Sequence, residues 1–439
     1  MIQHIFRQIW AQRKYNTWIF IELVVIFVLV WVLSDYAFIL LHNRSIPQGF
    51  DYKNTYMVTY GIYGSETSRY NAAEADSLKT MNNLELFVRK IKEYNNVKVA
   101  DLTYLTFGFI PFSGGDNRTI ITSETDTTSV FAHTKAIRSG DFFRIFRYTS
   151  ALDNSWERPA GIDLNQNNSA FITRMVERER FGKESAIGKI IQADVGEGLQ
   201  NYVVADVLND QKRFDYTLPQ GAIFAASPSV SAENVMDFAV CLRTKPEVSE
   251  WQFLANFRKD MTSQLRIGNF YLKDVQSFSS IKEDVNQRFG VTNEIRTRTA
   301  LMIFFLLNIA LGIIGTFWFR NQTRRGEIGL RMAMGSTRGQ LQRQFILEAL
   351  ILLTLAVLPA IITNFFIARA DIIQFKMDDV KMSYETISGS PYITQNAPLR
   401  FFITNFITYI LLAVIVALST WIPANRASKI HPVDALRDE

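Results

Sequence analysis

The residue types that most often carry chemistry do not assemble into a catalytic pattern in this sequence. Four histidines, His4, His42, His133 and His431, are scattered along the chain with no H-E-x-x-H spacing, and Cys241 is the single cysteine. A zinc site needs clustered nitrogen and sulfur ligands, and an intramolecular disulfide needs two thiols, so neither is expected. Gly114, Gly115 and Asp116 form a turn signal, and Gly182-Lys183 looks like the end of a phosphate loop. The G-x-x-x-x-G-K-[ST] register fails, however, because Glu177 stands where the first glycine belongs and Glu184 where the hydroxyl belongs. Asp378 and Asp379 are adjacent carboxylates on a polar connection and read as solvated. The expectation is therefore a non-catalytic chain with no catalytic residue, no cofactor and no metal. Two carboxylates are unusual for their surroundings. Glu22 and Asp35 lie in the apolar run 18–41, where an ionised group costs about 2.5 to 3.5 kcal/mol at mid-bilayer. Both are expected to make helix contacts or to snorkel towards an interface.

The elements that carry these residues are dominated by four apolar runs, 18–41, 299–319, 345–368 and 401–422, each long enough to cross a bilayer. Residues 1–16 place Ile2, Ile5, Phe6, Ile9 and Trp10 on one helical face, as in an interfacial helix. The run that follows is too long, and ends in residues too bulky, for a cleaved signal peptide. The formal charge of +5 does not point to nucleic acid, because the basic residues collect beside the apolar runs. In the link 320–344, Arg320, Arg324, Arg325, Arg331, Arg338 and Arg343 outweigh Glu327, which places this link in the cytoplasm. Both termini then share that side, and 423–439 is a cytoplasmic tail. Thr323 to Met334 reads as a short helix stopped by Gly335, and Thr337 with Gln340 has the spacing of a capping box opening the third span. Pro359 is expected to kink that span.

Residues 46–295 lie across the membrane from the link. Alternating Tyr56, Val58 and Tyr60 mark a strand, Leu84, Phe87, Val88 and Ile91 one face of a helix, and 97–105 a second strand. The order returns as strand 238–243, helix 251–265 and strand 270–278. Two strand-helix-strand units flanking an insertion predict one α+β layer split in sequence, with an inserted, mainly β lobe over about 110–235. From Ile281 to Arg298 a polar helical pattern predicts one continuous stalk entering the second span. The connection 369–399 returns on the outer side.

The link RNQTRRGEIGLRMAMGSTRGQLQRQFILEALIL resembles the signature loop of FtsX-domain permeases of the MacB-like type. SGDFFRIFRY (139–148), AFITRMVERERFGKESAIGKII (170–191) and the ending PANRASKIHPVDALRDE are similar to further segments of that family, in the same order. The resemblance implies four membrane helices with a periplasmic porter-like layer and second lobe, in a bacterial inner membrane. It implies two copies of a separate ABC ATPase subunit and a second permease copy or paralogue. A periplasmic adaptor and an outer-membrane channel are further candidate partners, and membrane lipid surrounds the spans. On this resemblance Arg324, Glu327, Ile328, Gly329, Arg331, Met334 and Gly335 are the ATPase-coupling residues, passing ATP-driven motion to the periplasmic side for export or extraction. Gly326 and the long connection 369–399 depart from the family pattern, and the expectation is that the ATPase is not fused to this chain. The alternative implied function is an FtsX-like transmitter that regulates an envelope hydrolase without transport. A sensory receptor is a weaker third reading.

Overall fold

In the computed structural model the chain divides into two compact units, Met1–Asn43 with Val291–Glu439, and Arg44–Gly290. The structure describes residues 13–427 apart from 106–117, 121–128, 165–167, 195–197, 213, 227–228, 289, 324–333, 371, 373–374, 378–379, 383, 385 and 387–389. Most of the expected helix 1–16 and of the tail motif, the turn at Gly114 and the Asp378-Asp379 pair therefore lie outside the described residues.

Unit 44–290 opens with β1 (Thr55–Ile62), the helix Ser77–Lys92 and β2 (Val97–Tyr104). Asp76 caps that helix by accepting from the Leu78 amide, and Leu84, Phe87, Val88 and Ile91 form its buried face. The inserted lobe carries β3 (Arg118–Ile120), β4 (Ser129–Phe131), β5 (His133–Ile137), β6 (Ser169–Thr173), β7 (Ile190–Asp194), β8 (Leu199–Leu208) and β9 (Ala222–Ala226). The chain then returns as β10 (Phe238–Thr244), the helix Glu250–Gln264 and β11 (Phe270–Ser277).

The two strand-helix-strand units interlock. The sheet order is β11-β1-β10-β2 with every pairing antiparallel, so β10 fills the gap between β1 and β2 while β1 fills the gap between β10 and β11. Val58 sits at the centre, opposite Val240 on one side and Val275 on the other. Tyr56 packs on Phe253 at 4.4 Å between ring centroids, and Tyr60 packs on Phe87 and Phe270 at 5.5 Å each. The Tyr60 hydroxyl donates to the Val235 carbonyl at 2.6 Å, so this large side chain is buried with its polar atom satisfied. The fold class expected from the repeated order is the one observed.

The lobe is built on a five-stranded mixed sheet, β5-β9-β6-β8-β7, in which β5/β9 and β6/β8 are parallel. One face buries Ile172, Val176, Ile191, Val204 and Ile223. Phe142 and Phe143, on the short helix Asp141–Phe146, pack with Tyr148, Phe171 and Phe224. The FF of the SGDFFRIFRY segment is thus a packing device.

The membrane unit contains the helices Arg13–Ser45, Val291–Thr323, Arg338–Arg369 and Ala397–Ala427. Each holds a window long and apolar enough to span a bilayer, with mean hydropathy between 2.1 and 2.6. Their shared core includes Phe27, Val30, Ile313, Leu352, Leu353, Leu412 and Val416. Ala349, Ala356 and Ala360 are fully buried in it, small residues that let helices approach closely. The third helix runs through Pro359 without interruption. The connection after it carries a two-stranded hairpin, β12 (Phe375–Met377) with β13 (Val380–Met382).

The expected continuous stalk is corrected. The pattern from Ile281 to Arg298 divides into the helices Phe278–Arg288 and Val291–Thr323, with Gly290 at φ +70° between them. A left-handed glycine ends a helix at little cost, and residue-face periodicity alone does not register such a break.

Candidate functional site

The start of the third membrane helix is fixed by reciprocal capping. The Gln340 amide donates to Thr337 Oγ1 at 3.3 Å and the Thr337 amide donates to Gln340 Oε1 at 3.0 Å. Two amides left over at a helix start are thereby satisfied, and the first turn is held in register. Gly335 precedes it at φ +93°, the left-handed conformation of a chain reversal. Met334 beside it is 72% exposed. Gln342 Nε2 donates to Asn425 Oδ1 at 3.2 Å, tying this first turn to the end of the fourth helix. Leu341 and Glu348 are buried further along. Of the sequence-derived coupling residues, Met334 and Gly335 are therefore placed on an exposed turn directly before a capped helix. Arg324, Glu327, Ile328, Gly329 and Arg331 lie outside the described residues.

The two carboxylates of the first membrane helix have different environments. Glu22 accepts from Thr316 Oγ1 at 3.1 and 3.3 Å, which joins the first helix to the second. Asp35 is 1% exposed and meets Arg400, also 1% exposed, in a two-point arrangement: Nε to Oδ1 at 2.9 Å and Nη2 to Oδ2 at 2.6 Å. The Tyr384 hydroxyl donates to Asp35 Oδ1 at 2.7 Å, and the Tyr384 ring lies 4.0 Å from the guanidinium carbon. Trp31, one turn before Asp35, donates from Nε1 to Thr404 Oγ1 at 3.0 Å, one turn beyond Arg400. Both carboxylates make helix contacts. Asp35 belongs to a fully paired buried cluster joining the first helix, the last helix and the connection between the third and fourth, an arrangement that tolerates charge because both fork nitrogens and both carboxylate oxygens are used. Sequence reasoning missed Arg400 because it falls between the connection 369–399 and the apolar run 401–422. A basic residue at the edge of one span, with an acidic residue in another, was the available signal.

Residues 299–432 match the family model of the FtsX-like permease C-terminal domain. The chain carries an FtsX-like permease domain. The link between the second and third helices lies within the matched residues, as the resemblance of that segment implied. The macrolide export ATP-binding/permease protein MacB of Bradyrhizobium diazoefficiens is 27% identical over 141 residues, which is 32% of this chain and 19% of that protein. The match thus spans about one fifth of the relative's length. Among solved structures, the periplasmic region of MacB from Actinobacillus actinomycetemcomitans overlays on 54% of this chain and 94% of its own (TM-score 0.31, 10% identity). A permease domain from Porphyromonas gingivalis covers 53% and 94% (TM-score 0.29, 15% identity). The extracellular domain of the Gram-positive transporter YknZ covers 50% and 100% (TM-score 0.30, 14% identity). The four apolar helices are each long and apolar enough to cross a membrane.

Proposed function

We propose that this permease is the membrane subunit of a bacterial MacB-like ABC complex, in which a separate ATPase, in two copies, drives export or extraction at the periplasmic face. In this reading both termini and residues 320–344 are cytoplasmic, and unit 44–290 is periplasmic. The observation that carries the proposal is the capped turn from Met334 to Gln340 inside an FtsX-like domain. A partner pressing on an exposed turn that leads into a registered helix moves the helix, since the capping box leaves little slack between them. Arg324, Glu327, Ile328, Gly329, Arg331, Met334 and Gly335 form the proposed contact with the ATPase. The second membrane helix supports pairing with another copy or a paralogue: only 6% of its apolar window is buried, and Phe304, Leu307 and Leu311 are exposed on it. A periplasmic adaptor and an outer-membrane channel complete the proposed assembly.

The test is the double substitution Glu327→Lys with Arg331→Glu, measured by co-purification of the ATPase and by ATP turnover of the assembled complex. Both are expected to fall while the variant remains in the membrane. Pull-down and turnover equal to wild type would remove these residues from the contact. Mass spectrometry of the purified complex separates export from regulation of an envelope hydrolase by naming the periplasmic partner.

A further inference from the structure

Within unit 44–290 a cavity of about 310 Å³ is lined by Lys92, Lys98, Arg144, Arg147, Arg243 and Trp156, and by the acidic Asp141. It forms where β2 and β10 of the split layer face the lobe helix Asp141–Phe146 and the residues after it. Arg243, 3% exposed, is part of the frame. Its Nε donates to the Ile145 carbonyl at 2.6 Å, and Nη1 donates to Asp51 Oδ2 at 3.1 Å. The other cations are less committed. Arg147 Nη1 lies 3.7 Å from Asp51, whose carboxylate Arg243 already holds, and Arg147 Nε is buried without a hydrogen-bond partner. Arg144 pairs with Asp141 at 3.0 Å on the exposed side of its helix. Lys92 reaches only to 4.0 Å of Asp101, which is taken by Arg138 at 3.0 Å and by the Ser139 hydroxyl at 2.6 Å. Four of the five cations thus share three carboxylates, one of which also serves Arg138. Burial lowers the Arg243 pKa; Asp51 opposes this and the nearby Arg147 charge adds to it. Arg147 is held in place by the end of its helix: it caps the C-terminus of Asp141–Phe146 with a left-handed backbone at φ +51°, its amide donating to the Phe143 carbonyl at 2.7 Å.

We infer that this cavity binds the phosphate group of an organic anion, with Arg147, Arg144, Lys92 and Lys98 as its ligands and Trp156 as the wall for the organic part. A single carboxylate would leave most of the charge uncompensated, whereas a phosphate dianion presents enough acceptor oxygens for a guanidinium fork and two ammonium groups. The Trp156 indole, its ring centre 6.0 Å from the Arg147 guanidinium carbon, sets an apolar surface beside that cation for whatever carries the phosphate. The volume sits at the lower end for small-ligand sites and suits a headgroup-sized molecule. This site is independent of the ATPase contact, so either assignment can fail without the other.

The experiment is calorimetric titration of the full-length permease in detergent, with glycerol 1-phosphate as the soluble probe and dioctanoyl phosphatidic acid as the lipid probe. Saturable binding of either is expected, and glycerol at the same concentration should give no signal. Binding of both assigns a site that reads the phosphate group; binding of the lipid probe alone assigns a lipid headgroup. Arg147→Gln with Lys98→Gln is expected to weaken binding by about tenfold or more. Lys92→Gln with Lys98→Gln, two exposed lysines whose loss leaves the frame intact, is expected to do the same without lowering the thermal midpoint. Absence of saturation by both probes up to about 10 mM, or wild-type affinity in a folded double variant, overturns the assignment.

Discussion

The paired charges at Asp35 and Arg400 show how one residue's meaning depends on its partner. A carboxylate alone in an apolar span is costly, and the same carboxylate bonded at both oxygens by a guanidinium and at one also by the Tyr384 hydroxyl becomes a joint between helices. The cost returns when one member is removed. Asp35→Ala leaves a buried, uncompensated guanidinium and is expected to destabilise the membrane unit by about 3 to 5 kcal/mol. Adding Arg400→Met should recover most of that loss, because no charge then stays buried. Thermal midpoints of the two variants in detergent check this. A single variant that melts with the wild type, or a double variant no better than the single, would show that the pair is not desolvated as described. Asp35 was conspicuous in the sequence; its pairing with Arg400 was not, since the answer lies 365 residues further along.

Among the elements, the third membrane helix is the one whose start was written locally. Thr337 and Gln340 stand three apart, and reciprocal capping requires nothing from the rest of the fold, so their bonds were legible from spacing. Removing the cap hydroxyl with Thr337→Ala is expected to cost about 1 kcal/mol of local helix stability. Hydrogen exchange at the amides of Gln340 and Leu341 should accelerate several-fold, while amides near Leu353 stay protected. Uniform exchange in variant and wild type would mean that packing, not capping, sets this boundary. If the turn transmits force as proposed, the same variant loosens ATPase coupling without removing the binding surface. The stalk pattern misled for the complementary reason: polar helical periodicity continues on both sides of Gly290, and only the backbone torsion there reveals two helices.

The whole molecule joins a membrane bundle to a unit whose layer is made from two distant stretches of chain. Each strand-helix-strand stretch lacks the strand that separates its own two, so β1 and β10 are satisfied only by exchanging places. Unit 44–290 holds its own buried clusters, in the layer and in the lobe. Residues 46–289 expressed alone are therefore expected to give a soluble domain with one cooperative thermal transition. A broad transition with dye-binding apolar surface would show that the membrane helices complete its core. By itself the sequence determined the four apolar runs, the alternation of Tyr56, Val58 and Tyr60, the apolar face of the helix Ser77–Lys92 and the Thr337 cap, because each depends on period or spacing within a few turns of chain. Tertiary structure alone decided that Arg400 meets Asp35, that β10 enters between β1 and β2, and that Lys92, Lys98, Arg144, Arg147 and Arg243 surround one cavity. Those groups come from segments up to several hundred residues apart, and charge and hydrogen-bond complementarity act only between groups that folding has already brought within a few ångströms.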